Sequence, residues 1–98
     1  MSALSEATWE KVRALFPPTQ HDEVAAILQN QCGNNLPFLG NKTPEELERF
    51  RFAALKLSQG RLDKLRDAVR LANTDWRDLL VAAGFADSAD AYKQWKAV

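Results

Sequence analysis

Cys32 and His21 are the chain's single thiol and single imidazole, the side chains that elsewhere pair as nucleophile and base. Their spacing argues against that chemistry. Both fall in one expected helix, from about Gln20 to Cys32, on nearly the same face but about 16 Å apart along the axis at 1.5 Å per residue. Cys32 also stands at the helix C-terminus, where the dipole disfavours a thiolate. The reading is a buried thiol that closes a helix, with His21 a first-turn surface residue. One His and one Cys do not make a zinc site of ordinary composition, and no EF-hand-like acidic loop occurs, so no metal and no cofactor is expected. Phosphate-binding glycine loops and the G-x-S-x-G nucleophile turn are absent. The paired acids Asp22-Glu23, Glu45-Glu46 and Asp75 with Asp78 all fall in first helical turns, where they favour the helix dipole. An enzyme would need acids from separate helices to converge on one cleft.

Charge is balanced overall, with 13 basic and 13 acidic side chains, but not along the chain. Residues 1–48 carry three basic and seven acidic groups, and residues 49–70 carry seven basic and two acidic. The basic stretch either pairs with the acidic first half, is solvated, or meets a partner. Nucleic-acid binding would use Arg49, Lys56, Lys64, Arg66 and Arg70. A helix-turn-helix reading of the segment around Asn73-Thr74 is poor, because its second helix opens Asp75-Trp76-Arg77-Asp78 and two acids would repel phosphate.

Several apolar residues stand off the helical stripes: Phe52 among Glu45, Glu48, Arg49 and Lys56, then Leu71 and Val81. In so small a bundle most should be covered by the last helix and the long loop. If they meet on one surface, Phe52 and Leu71 with Arg49 and Lys56 would form a partner-binding patch. Asn34-Asn35 should satisfy loose carbonyls after a helix end; the alternative is a rim of amides for a ligand.

The elements that position these residues are helical. Apolar groups recur with helical period and no alternating strand pattern stands out. Six helices are expected. The first runs about Glu6 to Leu15, capped by Ser5, with Trp9, Val12 and Phe16 inward and Pro17-Pro18 as its stop. The second is capped by Thr19 and ends at Gly33. A loop with Leu36, Phe38 and Leu39 tucked under the bundle follows. The third starts at Thr43-Pro44-Glu45-Glu46, ends at Gly60 and has apolar groups on two sides, which suits a central helix. The fourth runs about Leu62 to Ala72, with Asp63–Arg66 and Asp67–Arg70 at ion-pair spacing, and breaks at Asn73-Thr74. The fifth ends at Gly84, with Phe85 set to fold back on Leu80. The sixth starts after Asp87 or Ser88, with Tyr92 and Trp95 as anchors.

A length of 98 residues suits a single domain, 1–98, with one modest core. Helices of about three turns with tight breaks predict an all-α, compact, irregular or orthogonal bundle of five to six short helices. The single cysteine, with no leader-like start and no apolar run of about 20 residues, points to a cytoplasmic protein away from membranes. The stretches Cys32-Gly33-Asn34-Asn35-Leu36-Pro37-Phe38 and Thr74–Phe85 resemble a group of short bacterial proteins to which no activity is assigned. The resemblance extends over most of the chain and implies a bacterial, cytoplasmic setting; it transfers no functional residue. The leading expectation is a non-enzymatic protein–protein interaction module, with a homodimer as one form.

Overall fold

Thr43 opens the central helix as its type predicts: its hydroxyl accepts the Glu46 N–H at 3.2 Å, and Pro44 fills the first helical position, where no N–H is needed. A computed structural model describes residues 4–33, 35–36 and 43–97. In these residues the chain forms α1 (Glu6–Leu15), α2 (His21–Gln31), α3 (Pro44–Ser58), α4 (Leu62–Thr74) and α5 (Trp76–Ala83), with short 3₁₀ turns at Pro18–Gln20 and Ala91–Gln94. The architecture is an all-α bundle, and no strand occurs among the described residues. α3 is the hub. It packs against α1, α4, α5 and the C-terminal 3₁₀ turn. That position explains its two apolar sides: Leu47, Phe50, Ala53 and Ala54 are buried, and so are Phe52 and Leu55.

The ends are set largely by the expected chemistry. Ser5 Oγ accepts the Thr8 N–H at 3.1 Å and caps α1; Leu4 beneath it is buried. Phe16, before Pro17-Pro18, is extended and ends α1. At the end of α5, the Phe85 N–H bonds to Leu80 O at 2.9 Å and the Gly84 N–H to Val81 O at 3.1 Å, with Gly84 left-handed. That is the full Schellman arrangement, and it buries Phe85.

Other boundaries depart from expectation. Thr19 does not cap α2. It lies inside the 3₁₀ turn, and Gln20, already helical, precedes α2 without a side-chain cap bond. α2 ends at Gln31, with Cys32 as the cap residue. Asn73-Thr74 is no break: both are the last residues of α4, and the chain turns at Asp75 alone. Thr74 Oγ1 bonds back to Arg70 O and Asn73 Nδ2 to Val69 O, so both side chains extend the helix pattern they were expected to end. The sixth helix is only the 3₁₀ turn at Ala91–Gln94. Its anchors are as read: Tyr92 is buried and Trp95 half-buried. Leu36 is buried as expected, whereas Asn34, Phe38 and Leu39 lie outside the described residues. No helix of the described residues is long and apolar enough to cross a membrane.

Candidate functional site

The thiol and the imidazole are both structural. Cys32 is fully buried, and its Sγ lies 3.8 Å from Phe50 O, towards which it donates. Burial pushes the thiol from its ordinary 9.0 up to about 12, against a smaller opposing pull from the Arg51 charge. A sealed thiol with so high a pKa is no nucleophile at neutral pH. His21 is half-buried rather than on the surface: its Nε2 donates to Phe16 O at 2.7 Å, closing the carbonyl end of α1. No group of three or more His, Cys, Asp or Glu gathers among the described residues.

The basic segment is largely spent on its own chain. Lys56 Nζ donates to Ala83 O at 2.8 Å and lies 4.9 Å from the centre of the Phe85 ring. Arg49 Nη2 donates to Phe85 O at 2.6 Å. Two cations of α3 therefore sit at the negative end of α5. Arg66 pairs with Glu23 of α2 at 2.5 Å, Arg70 with Asp67 at 3.2 Å, and Lys64 bonds Gln59 Oε1 at 2.7 Å. The expected Asp63–Arg66 pair is not formed, because Arg66 reaches across to α2 and Asp63 pairs with Arg61. The α4–α5 corner has one turn residue, Asp75, where a helix-turn-helix needs three or four. Arg77 holds the Asp75 carboxylate with two bonds of 3.0 Å and pulls its pKa below the usual range.

Phe52 does not belong to an exposed patch. It is a core residue, 3% exposed, because the C-terminal segment folds over it. Tyr92 meets its ring edge-on at 5.1 Å between centroids, Trp95 at 5.8 Å, and Lys11 lies above it at 5.4 Å. Arg51, within the basic stretch, is 2% exposed, with its Nε donating to Cys32 O at 3.2 Å. No spacing rule flags Arg51. Its neighbours Phe50 and Phe52, both buried, are the only hint that this stretch is enclosed all round.

Three concavities among the described residues bear on these expectations. The first, of about 240 Å³, lies between the start of α1 and the start of α3 and is lined by Leu4, Ser5, Thr8, Leu47, Glu48 and Arg51, with Pro44 at its rim. Its polar groups form one chain: the Thr8 hydroxyl bonds Ser5 Oγ at 2.8 Å, Ser5 donates to Glu48 Oε1 at 2.5 Å, and Tyr92 donates to Glu48 Oε2 at 2.8 Å. Burial first, and Glu48 second, push the Tyr92 phenol above its ordinary value. Glu48 lines this concavity, and a smaller adjoining hollow places Glu45 beside it.

The second, of about 330 Å³, runs between the end of α2 and α4 and brings Arg66 and Arg70 beside Gln31, Asn35 and Asn73. Its two asparagine amides are occupied. Asn35 Nδ2 donates to Gln31 O and Asn73 Oδ1, Asn35 Oδ1 accepts the Gly33 N–H, and Asn73 Nδ2 donates to Gln31 O and Val69 O. Every donor of the Asn35 and Asn73 amides is used, and the bonds Asn35–Asn73 and Asn73–Gln31 tie the ends of α2 and α4 together. The third, of about 220 Å³, is a shallow groove over α3 and α4 lined by Leu57, Lys64, Asp67, Ala68 and Leu71. Leu57 and Leu71 are half-buried there. Val81, 66% exposed, stands alone on α5.

No protein-family model matches the chain, and neither does any curated protein or solved structure.

Proposed function

We propose that the protein is a non-enzymatic helical interaction module that associates with a second copy of itself through the α3–α4 groove. The observation that carries this reading is the groove itself: Leu57 and Leu71 present apolar surface on either side of the small Ala68, with Lys64 and Asp67 alongside. A surface with opposite charges beside one apolar seam is self-complementary about a two-fold axis, since Lys64 of one copy can face Asp67 of the other. Lys64 supports this, because its recorded hydrogen bond goes to the neutral Gln59 amide. The groove is small against the ~800 Å² per partner of a stable interface, so the dimer is weak and forms at high protein concentration. A cytoplasmic setting fits the single free thiol, and a place among short bacterial proteins rests on the two stretches described above.

Sedimentation across a wide concentration range tests the reading. Self-association that Leu71→Asp abolishes without loss of helicity supports it. Lys64→Glu or Asp67→Lys alone should weaken the dimer, and the two together should restore it. A chain that stays monomeric at millimolar concentration overturns it.

A second reading, nucleic-acid binding, draws on Arg66 and Arg70 lining one groove. Their pairing with Glu23 and Asp67 weakens it. Binding titrations at two salt concentrations decide it, because phosphate contacts must give a steep salt dependence.

A further inference from the structure

The chain after Phe85 differs from the rest of the molecule in how it is held. Ala86, Asp87, Ser88, Ala89 and Asp90 are all exposed. Their recorded hydrogen bonds stay within the segment: Asp90 N–H to Ser88 Oγ, Ala91 N–H to Ser88 O, and Lys93 N–H to Asp90 O. Attachment to the body comes from two side chains beyond them. Tyr92 packs on Phe52 and donates to Glu48, while Trp95 lies against Phe52 at 5.8 Å and Phe85 at 6.4 Å.

The backbone oxygens nearest this segment are satisfied from within the body. Lys56 and Arg49 satisfy Ala83 O and Phe85 O, the Schellman bonds end α5, and Ser5 holds Glu48 from the other side. Removing the segment would cost one hydrogen bond, at a Glu48 that is only half-buried and that water can reach, the Lys11 contact with the Trp95 ring at 5.7 Å, and the exposure of Phe52 and Phe85.

We propose that residues 86–97 are a detachable strap, whose release bares the Phe52–Phe85 face while α1 to α5 stay folded. The structure shows the closed form; the open form is a minor state reached by a local opening well below the cost of global unfolding. Glu48 is the catch, because its carboxylate joins the strap through Tyr92 to the start of α1 through Ser5. The strap therefore decides whether the chain presents an apolar aromatic surface, independently of the α3–α4 groove on which self-association rests.

Thiol labelling of the full chain tests this. Phe52→Cys places a thiol under the strap, and Cys32, fully buried, serves in the same molecule as the clock for global opening. Peptide mapping should show position 52 reacting about 100-fold faster than Cys32. Adding Tyr92→Phe, which keeps the ring and removes the hydroxyl, should speed position 52 roughly tenfold further and leave Cys32 unchanged. Equal rates at the two positions overturn the proposal, and so does a Tyr92→Phe effect shared by both. Should Phe52→Cys fail to fold, amide exchange in the unsubstituted chain supplies the same comparison. Lys93 and Trp95 amides exchanging about 100-fold faster than those of Ala53 and Leu55 support the strap; a common rate overturns it.

Discussion

Cys32, Phe52 and Arg51 mark how far single residues can be read in advance. The fate of Cys32 followed from its place at a helix end on an apolar stripe, and it is indeed sealed. That burial has a measurable consequence. Its thiol stays protonated up to about 12, whereas in the unfolded chain it ionises near 9.0. Between those values the unfolded state binds fewer protons, so this residue's contribution to stability is intact below about pH 9 and falls as pH rises towards 12, by about 1.4 kcal/mol per pH unit. Urea unfolding from pH 8 upward should show the stability difference between the native chain and Cys32→Ala shrinking with pH; a constant difference would contradict it. Phe52, expected to be covered by the last helix unless it met Leu71 on one surface, is covered, and the patch reading falls away. Periodicity reports one helix in isolation, whereas the covering aromatics come from forty residues further on, as the Tyr92–Phe52 contact shows. Arg51 was hidden for the same reason: its acceptor, Cys32 O, belongs to another helix.

Helix ends separate into those set by local chemistry and those set by neighbours. Thr43, Ser5 and Gly84 act within a few residues of themselves, so their roles were legible. Thr19 and Asn73 have cap-forming types, but other demands took them. Asn73 spends both amide hydrogens on Gln31 O and Val69 O, so its work is to fasten α4 to α2, a pairing that no sequence window contains. Glycine at the two left-handed positions makes the distinction quantitative. Gly84 has φ +79°, and a Cβ there would meet only Lys56 Nζ at 3.7 Å, so Gly84→Ala should cost about 1–2 kcal/mol for the conformation alone. Gly60 has the same φ, but a Cβ would stand 2.7 Å from the backbone oxygen of Leu15, which cannot swing aside. Gly60→Ala should therefore lower the melting temperature clearly more than Gly84→Ala. Equal losses would contradict the close seating of Gly60 against the end of α1.

Across the whole molecule, an all-α bundle was readable because the apolar period recurs in nearly every segment and tolerates errors of a residue or two at each end. The internal use of charge was only half readable. An excess of basic groups in the middle and acidic ones before it implied pairing, and Arg66–Glu23 is such a pair. Arg49 and Lys56 instead turned to backbone oxygens at the end of α5, which carry no formal charge and leave no mark in a charge count. The candidate site suffered most. Of Phe52, Arg49, Lys56 and Leu71, only Leu71 lines an open groove, because surface patches depend on which helices meet and composition does not record that.

The wedge of Gly60 beneath the final carbonyl of α1 bears on where this chain can change length. At that corner two backbone segments are already in contact, so any extra peptide must pry the first helix from the hub. The stretch from Ala86 to Asp90 is exposed throughout. A short glycine–serine insert after Asp87 should leave the thermal transition of the body where it was, while the same insert after Gln59 should broaden or abolish it. Natural length variants of this protein should accordingly cluster at the first place and avoid the second.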